Sequence, residues 1–281
     1  MNNFKNPLGV MQGRLLPKYQ GRYQAHPVGY WQDEFAIAAG LGLDCIEFIL
    51  DFNDAEANPL LRPDGPDEIL RVAEKSGVRV RTVCADYFME APIHHPAAEV
   101  SAISESVLRR LLANSKRLDV SDIVIPCVDQ STLANDEAAQ QRFVQRITPI
   151  LDTAETLGIN LSLETDLAPQ AFADLLARID SPRVSVNYDI GNSAALGFDP
   201  AEEMACYGKR VSDIHIKDRK VGSGSVPLGS GDAQFDRFFA ALEPLRYTGP
   251  FIMQAYRDDE GLQMFRDQLQ WLRNHYLQVT Q

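Results

Sequence analysis

The chain has 281 residues, of which 45% are apolar, and its 27 Lys and Arg against 39 Asp and Glu give a formal net charge of −12. This composition excludes a disordered tail, a fibre and a disulfide-stabilised miniprotein. The excess of acidic residues argues against nucleic acid as the main partner. The length suits one α/β barrel of about 250 residues, or roughly two smaller domains.

Cysteine usage and the amino terminus indicate a compartment. Cys45, Cys84, Cys127 and Cys206 lie far apart and form no C-x-x-C motif, which favours reduced, packed thiols. The opening MNNFKNPLGV lacks the charged-then-apolar pattern of a signal peptide, and no apolar run approaches the roughly 18 residues of a membrane span. We therefore expect a cytoplasmic protein with no membrane partner.

Eight short apolar or β-branched runs alternate with stretches of helical periodicity. These runs begin near Leu8, Asp44, Val78, Ser121, Ile159, Arg183, Val211 and Pro250. Helix-to-strand connections are short, with Gly77 and Gly158 as predicted C-caps, whereas strand-to-helix connections are long. No linker divides the chain, so the pattern predicts one α/β domain over residues 1–281, a (β/α)8 TIM barrel. The active site is expected at its C-terminal face.

A doubly wound open sheet that binds a nucleotide is the alternative fold, and it requires a glycine fingerprint. The glycine-rich stretch 222–231 follows a strand but is interrupted by Pro227. Neither G-x-G-x-x-G after the first strand nor G-x-x-x-x-G-K-[ST] occurs, so the barrel is favoured.

Polar residues are predicted to point into the barrel where the fifth to eighth strands end, because side chains alternate along a strand. These residues are Glu164, Asp189, His215 and Gln254. Carboxylate, imidazole and amide donors suit a divalent cation such as Mn²⁺, Mg²⁺, Co²⁺ or Zn²⁺. A hydrogen-bonded structural network is the alternative, but three clustered ionisable groups are costly to bury without a cation.

Several motifs resemble those of the xylose isomerase-like TIM-barrel superfamily, the sugar and sugar-phosphate isomerases and epimerases. The first two units, at residues 9–15 and 42–48, are also similar, so the resemblance covers nearly the whole chain. The motifs are Leu163-Glu164-Thr165-Asp166, Asn187-Tyr188-Asp189-Ile190-Gly191-Asn192, Asp213-Ile214-His215-Ile216-Lys217-Asp218 and Pro227-Leu228-Gly229-Ser230-Gly231-Asp232.

The resemblance implies one divalent metal ion held by Glu, Asp, His and Glu from the fifth to eighth strands, with the two Glu residues also moving protons. Glu164, Asp189 and His215 match the first three ligands. Gln254 stands where the family usually has the second Glu. An amide oxygen can bind a metal but cannot accept a proton at neutral pH, and the missing charge is expected to weaken cation binding.

The implied reaction is proton abstraction next to a carbonyl, through an enediolate, with Glu164 as the catalytic base. Gln254 favours a one-base isomerase over a two-base epimerase, or an inosose-type dehydratase. Glu47 or Asp86 is an alternative second base. A non-catalytic sugar-binding barrel also remains open, because fold resemblance alone fixes no reaction.

The predicted partner is a small sugar or sugar phosphate. Its candidate contacts are Gln12, Arg14, Glu47, Asp86, Asn192, Lys217 and Arg219. Cationic residues near strand ends are predicted to form a basic rim that suits a phosphate or carboxylate. This rim comprises Arg14, Lys217, Arg219, Lys220 and Arg257. The sequence leaves open whether the sugar is phosphorylated, which metal is native and whether copies of the chain associate as a homo-oligomer.

Endonuclease IV-like enzymes share the barrel plan and offer a rival function in DNA repair. Their site is rich in zinc and histidine, whereas this chain has five histidines in all and a net charge of −12. Few metal ligands and no phosphate-tracking surface remain for that function, so it is disfavoured.

Overall fold

The computed structural model describes residues 5–277, and its centre is a closed barrel of eight parallel strands. Around the barrel the strands follow the order β1-β10-β7-β6-β5-β4-β3-β2. Their bounds are β1 (Leu8–Met11), β2 (Cys45–Ile49), β3 (Arg79–Cys84), β4 (Asp122–Cys127), β5 (Asn160–Thr165), β6 (Val184–Asp189), β7 (Val211–Ile216) and β10 (Phe251–Met253). The predicted (β/α)8 TIM barrel is confirmed.

Helices follow the strands and cover the outside of the barrel. Their bounds are α1 (Asp33–Gly40), α2 (Gly65–Ser76), α3 (Tyr87–Glu90), α4 (Ala98–Arg117), α5 (Glu137–Leu157), α6 (Pro169–Ile179), α7 (Ile190–Leu196), α8 (Pro200–Tyr207), α9 (Phe235–Leu242) and α10 (Gln263–His275). Gly77 and Gly158 end α2 and α5 at φ of 77° and 73°, as predicted for C-caps. None of the helices within residues 5–277 has the length and apolar character that crossing a membrane requires.

A two-stranded hairpin interrupts the connection between β7 and α9 and was not predicted. Strand β8 (Asp218–Arg219) pairs antiparallel with β9 (Ser225–Val226). The Asp218 carboxylate accepts hydrogen bonds from the backbone N–H groups of Gly229 and Gly231, at 2.9 and 2.8 Å. The glycine-rich stretch therefore folds back as a hairpin and turn after β7 and not as a nucleotide loop.

The core has two parts, as the alternation along the strands predicts. Apolar residues such as Val186 and Ile214 face outward and pack with the helices in one large cluster. A small cluster fills the interior of the barrel and consists of Met11, Cys45, Ile49, Cys84, Val124 and Ile252. Other inward positions are polar and buried, among them Glu47, Thr82 and Ser162.

Candidate active site

Three of the four predicted metal ligands lie together at the C-terminal mouth of the barrel. One donor atom each of Glu164, Asp189 and His215 lies within 4.8 Å of the other two. Asp189 and His215 are direct partners in the pairing of β6 with β7, despite a register shift between Val186 and Asn187. The predicted inward orientation of these side chains is thus preserved through the irregularity.

Asp189 is held as a carboxylate by its neighbours. It caps α7, where its Oδ1 atom accepts from the backbone N–H of Asn192 at 2.8 Å. Its Oδ2 atom accepts from Lys217 Nζ at 3.2 Å. Burial alone would raise the pKa of Asp189, but Lys217 and His215 hold that pKa well below its usual range. Asp189 is therefore anionic at neutral pH.

Glu164 has a different environment from Asp189 although the two are neighbours. Its Oε1 atom accepts from Asn192 Nδ2 at 2.5 Å. Burial, together with the nearby charge of Asp189, raises the pKa of Glu164 to about 7. A carboxyl group whose pKa lies near neutrality is suited to exchange protons with a substrate.

His215 is oriented from inside the barrel by Glu47. Its Nε2 atom lies 2.7 Å from Glu47 Oε1, and Thr82 Oγ1 donates to Glu47 Oε2 at 2.7 Å. Both Glu47 and His215 are 0% exposed. Burial opposes charge on the imidazole, yet Glu47 and Asp189 raise the pKa of His215 well above its usual range. Burial and the neighbouring charge of Glu47 raise the pKa of Asp213 well above its usual range.

Glu47 is fully buried, which differs from the accessible position expected of a substrate contact or second base. Its two carboxylate oxygens are bonded to His215 and Thr82, and no part of the residue is exposed. Because His215 Nε2 is engaged by Glu47, the other ring nitrogen, Nδ1, is left for a ligand. Within residues 5–277 that Nδ1 atom has no hydrogen-bond partner, and it lies 3.9 Å from Asp189 Oδ2, too far for a direct hydrogen bond.

Gln254 completes the set at the end of β10. Its Nε2 atom donates to Gln24 Oε1 at 2.8 Å, while its Oε1 atom is buried and has no partner in the described part of the chain. Within residues 5–277, two buried atoms without a hydrogen-bond partner, Gln254 Oε1 and His215 Nδ1, thus accompany the carboxylates of Glu164 and Asp189. Oxygen and nitrogen donors in this combination fit a divalent cation.

A second group of potential ligands lies deeper and shares His215. Donor atoms of Glu47, Asp213 and His215 are also within 4.8 Å of one another. However, Glu47 and Asp213 are 0% exposed, and Glu47 already accepts from Thr82 and contacts His215. In the group at the mouth, by contrast, His215 Nδ1 has no hydrogen-bond partner within residues 5–277, and Glu164 and Asp189 are 6% and 4% exposed.

Three predicted substrate contacts meet beside the carboxylates. Asn192 Oδ1 accepts from Lys217 Nζ at 3.1 Å and from Arg219 Nη1 at 2.8 Å. The same Asn192 side chain donates to Glu164. Lys217, Arg219 and Asn192 therefore form one hydrogen-bonded group next to the candidate base.

The other predicted contacts separate into two places. Gln12 is fully buried, and its Oε1 atom accepts from the backbone N–H of Ile49 at 2.9 Å and lies 3.2 Å from His26 Nδ1. Gln12 therefore supports the loop after β1. Arg14 and Asp86 lie at the mouth, and both contact Gln24, at 3.2 and 3.1 Å.

Gln24 was missed by the sequence reasoning, although it joins Arg14, Asp86 and Gln254. It lies in the long connection after β1, where neither a helical nor a strand period assigns an orientation. Glu34, in the first turn of α1, was also missed. Its fully buried carboxylate accepts from the backbone N–H groups of Gly13 and Leu15, at 2.8 and 3.0 Å.

Comparison with known proteins identifies the family that the sequence motifs resemble. The family model described as "Xylose isomerase-like TIM barrel" matches residues 35–275. L-ribulose-5-phosphate 3-epimerase UlaE of Salmonella paratyphi A is 26% identical over 264 residues, covering 90% of this chain and 88% of the enzyme.

Two solved structures show the same fold. The 3-keto-D-glucoside 4-epimerase YcjR of E. coli superposes with a TM-score of 0.74 at 18% identity, covering 96% of this chain and 100% of that one. The IOLI protein, whose structure contains a zinc atom, superposes with a TM-score of 0.75 at 15% identity, covering 98% of this chain and 100% of that one.

Proposed function

Because this protein belongs to the xylose isomerase-like TIM-barrel family, we propose that it is a divalent-metal-dependent epimerase or isomerase acting on a small ketose or ketose phosphate. The observation that carries the proposal is the group of Glu164, Asp189 and His215 at the barrel mouth, where Gln254 Oε1 and His215 Nδ1 are buried and have no hydrogen-bond partner among residues 5–277. The similarity to a named ribulose-phosphate epimerase supports the reaction class.

Glu164, Asp189, His215 and Gln254 would hold the metal ion. When bound, a divalent cation polarises a carbonyl and a neighbouring hydroxyl group and so acidifies the adjacent C–H. Asp189 supplies a permanent negative charge, and Glu47 fixes the ring nitrogen that His215 presents. Gln254 contributes a neutral oxygen, so the set has one negative charge fewer than a site with a second Glu.

Glu164 is proposed as the base that takes the proton from the carbon next to the carbonyl. The electron pair of the broken C–H bond moves into the carbon–carbon bond, and the carbonyl oxygen becomes the oxyanion of an enediolate. The pKa of about 7 that burial and Asp189 give Glu164 suits reversible proton transfer at neutral pH. Lys217, Arg219 and Asn192 would orient the hydroxyl groups beside that carboxylate.

Asp86 is proposed as the group that returns a proton in epimerisation, since Gln254 cannot do so and Glu47 is fully engaged. Asp86 accepts from Gln24 Nε2 at 3.1 Å, and the same Gln24 accepts from Gln254. Burial raises the pKa of Asp86, which favours the protonated form that a donor needs. Return of the proton from Glu164 to the neighbouring carbon would instead give aldose–ketose isomerisation.

Solvent deuterium incorporation into L-ribulose 5-phosphate and other small ketoses and ketose phosphates tests the proposal directly. The Glu164→Gln protein is expected to lose this exchange and to remain folded, because the amide cannot take a proton. The Asp174→Asn protein changes an exposed carboxylate on α6 and serves as the matched control. Unchanged exchange in the Glu164→Gln protein would exclude Glu164 as the base, and no exchange in the wild type with any such ketose would contradict the function.

A further inference from the structure

Two arginines at the mouth, next to Gln254, have no carboxylate partner in the described part of the chain. Arg14 follows β1, and its Nη1 and Nη2 atoms donate to Ala255 O at 3.3 Å and to Gln24 Oε1 at 3.2 Å. Arg257 follows β10, donates from Nη2 to Gly261 O at 2.9 Å and stacks 4.5 Å from the ring centre of Tyr23. Neither arginine takes part in an ion pair within residues 5–277.

Three nitrogen atoms of these arginines are buried and have no hydrogen-bond partner in the part of the chain that the structure describes. They are Nε of Arg14 and both Nε and Nη1 of Arg257, and Arg257 as a whole is 9% exposed. A buried guanidinium without an anion destabilises the fold, and unsatisfied buried donors add to that cost. Yet the chain carries 12 more acidic than basic residues, so carboxylates to pair with them are not scarce. Buried guanidinium donors without a carboxylate partner are typical of a binding site for an anionic ligand.

The surrounding loop holds Arg14 in place without neutralising it. The buried Glu34 carboxylate accepts from the backbone N–H groups on either side of Arg14, those of Gly13 and Leu15, and is therefore used by the backbone and not by the guanidinium. Gly13 adopts φ of +87°, and a Cβ atom there would lie 2.0 Å from Tyr23 O. The turn that carries Arg14 is thus closely packed against the segment that carries Tyr23. The ring of Tyr23 in turn stacks against the Arg257 guanidinium.

Gln24 links Arg14 to Gln254, one of the predicted metal ligands. Its Oε1 atom accepts from both Arg14 Nη2 and Gln254 Nε2, so the Arg14 guanidinium and the Gln254 amide share one hydrogen-bond acceptor. After burial, the charges of Asp189 and Arg257 are the largest influences on the pKa of Arg14, which is lowered to about 10. A small molecule that reaches Asp189 with its carbonyl end would therefore bring a second polar group to the arginines.

We propose that Arg14 and Arg257 bind the phosphate group of a sugar monophosphate in this site. Planar guanidinium groups with free N–H donors match the oxygens of a phosphate, and two of them match its double negative charge. The inference rests on the proposed function and narrows its substrate class from sugars in general to sugar phosphates.

Phosphate binding can be measured without turnover, by thermal melting in Mg²⁺ with increasing inorganic phosphate. The wild type is expected to show a saturable rise in Tm. The Arg14→Met and Arg257→Met proteins are expected to need at least about tenfold more phosphate for the same rise, because a charged hydrogen-bond donor is lost. Arg257→Lys should fall between, since it keeps the charge but not the fork of donors.

Arg237→Met is the matched control, because Arg237 lies on α9, pairs with Asp199 and is not among the residues assigned to the site. It should respond to phosphate as the wild type does. An equal phosphate response in the Arg257→Met and wild-type proteins would overturn the proposal, as would stabilisation by acetate and not by phosphate. Binding of Mn²⁺ by each variant, measured by calorimetry, confirms that the site is still folded.

Turnover of L-ribulose 5-phosphate and of L-ribulose provides the second measurement. Arg257→Met should lower kcat/KM for the phosphate ester by about tenfold more than it lowers kcat/KM for the free sugar. An equal loss for both sugars would overturn the phosphate assignment while leaving the proposed function intact. Absence of turnover in the wild type would contradict the proposed function, and the phosphate melts would still decide the role of the arginines.

Discussion

Replacing Glu47 by glutamine tests how the barrel interior sets the metal affinity of the mouth. Glu47 and His215 are both fully buried, and their 2.7 Å contact fixes which ring nitrogen faces Glu47 and which faces the mouth. A carboxylate accepts from His215 Nε2 and from Thr82 Oγ1 at once. A glutamine has the same shape but one acceptor oxygen and no charge. If its NH₂ group faces the imidazole, Nδ1 becomes protonated and can no longer bind a cation.

The expected size of the effect follows from the position of Glu47 behind a ligand. Loss of such an orienting partner typically weakens metal binding about 10- to 100-fold, or roughly 1.4 to 2.7 kcal/mol. The same loss should appear as a smaller Mn²⁺-induced gain in unfolding free energy at a fixed, saturating concentration of the ion. Thr82→Val keeps the Glu47 charge and should lose less affinity than Glu47→Gln.

The assay is calorimetric titration of Mn²⁺ into the wild-type, Glu47→Gln and Thr82→Val proteins, with melts in chelator to separate any loss of fold stability. Wild-type affinity in the Glu47→Gln protein would refute the orienting role. Asp213→Asn separates the two groups of ligands that share His215. A loss of affinity in the Asp213→Asn protein as large as that in Glu47→Gln would place the cation in the deeper group and not at the mouth.

Two further predictions concern charge. Gln254→Glu should tighten Mn²⁺ binding in a calorimetric titration, because a charged carboxylate replaces the neutral Oε1 atom of Gln254, which has no partner within residues 5–277. Weaker binding would mean that this side chain does not reach the ion. Burial lowers the pKa of both His26 and His94 from 6.5 to about 4. The unfolded chain therefore binds more protons than the folded one between these values, and stability should fall as pH decreases from about 6.5 towards 4, by up to about 3 kcal/mol for each histidine. Melts of His26→Gln and His94→Gln should show a shallower pH dependence over that window, and an unchanged slope in both would refute the assignment.

The barrel was predictable because its signals are local. Each strand is a short apolar run and each following helix has a 3.6-residue stripe, so eight repeats of the pattern define the fold. The hairpin of β8 and β9 escaped prediction because two-residue strands carry no period. Its glycines are instead explained by the backbone N–H groups that Gly229 and Gly231 direct at Asp218.

The strand-borne part of the site was predictable for the same reason, and the rest was not. Parallel strands end at one face of a barrel, so alternation alone brought Asp189 and His215 together there. The contact between Glu47 and His215 joins residues 168 positions apart and depends on how the closed barrel staggers its strands. Gln24 lies in an irregular loop, where packing decides the conformation and no period reports it.

The glutamine at position 254 and the arginine at position 14 are best understood together. Both donate to Gln24 Oε1, so a carboxylate at position 254 would lie close enough to attract the Arg14 guanidinium. Such an ion pair would occupy the donors that we assign to a phosphate. Gln254→Glu should therefore change two affinities in opposite directions, raising that for Mn²⁺ and lowering that for inorganic phosphate in the thermal melts. If both affinities rise, Arg14 is not drawn to position 254, and the neutral residue there does not serve to keep the arginine free.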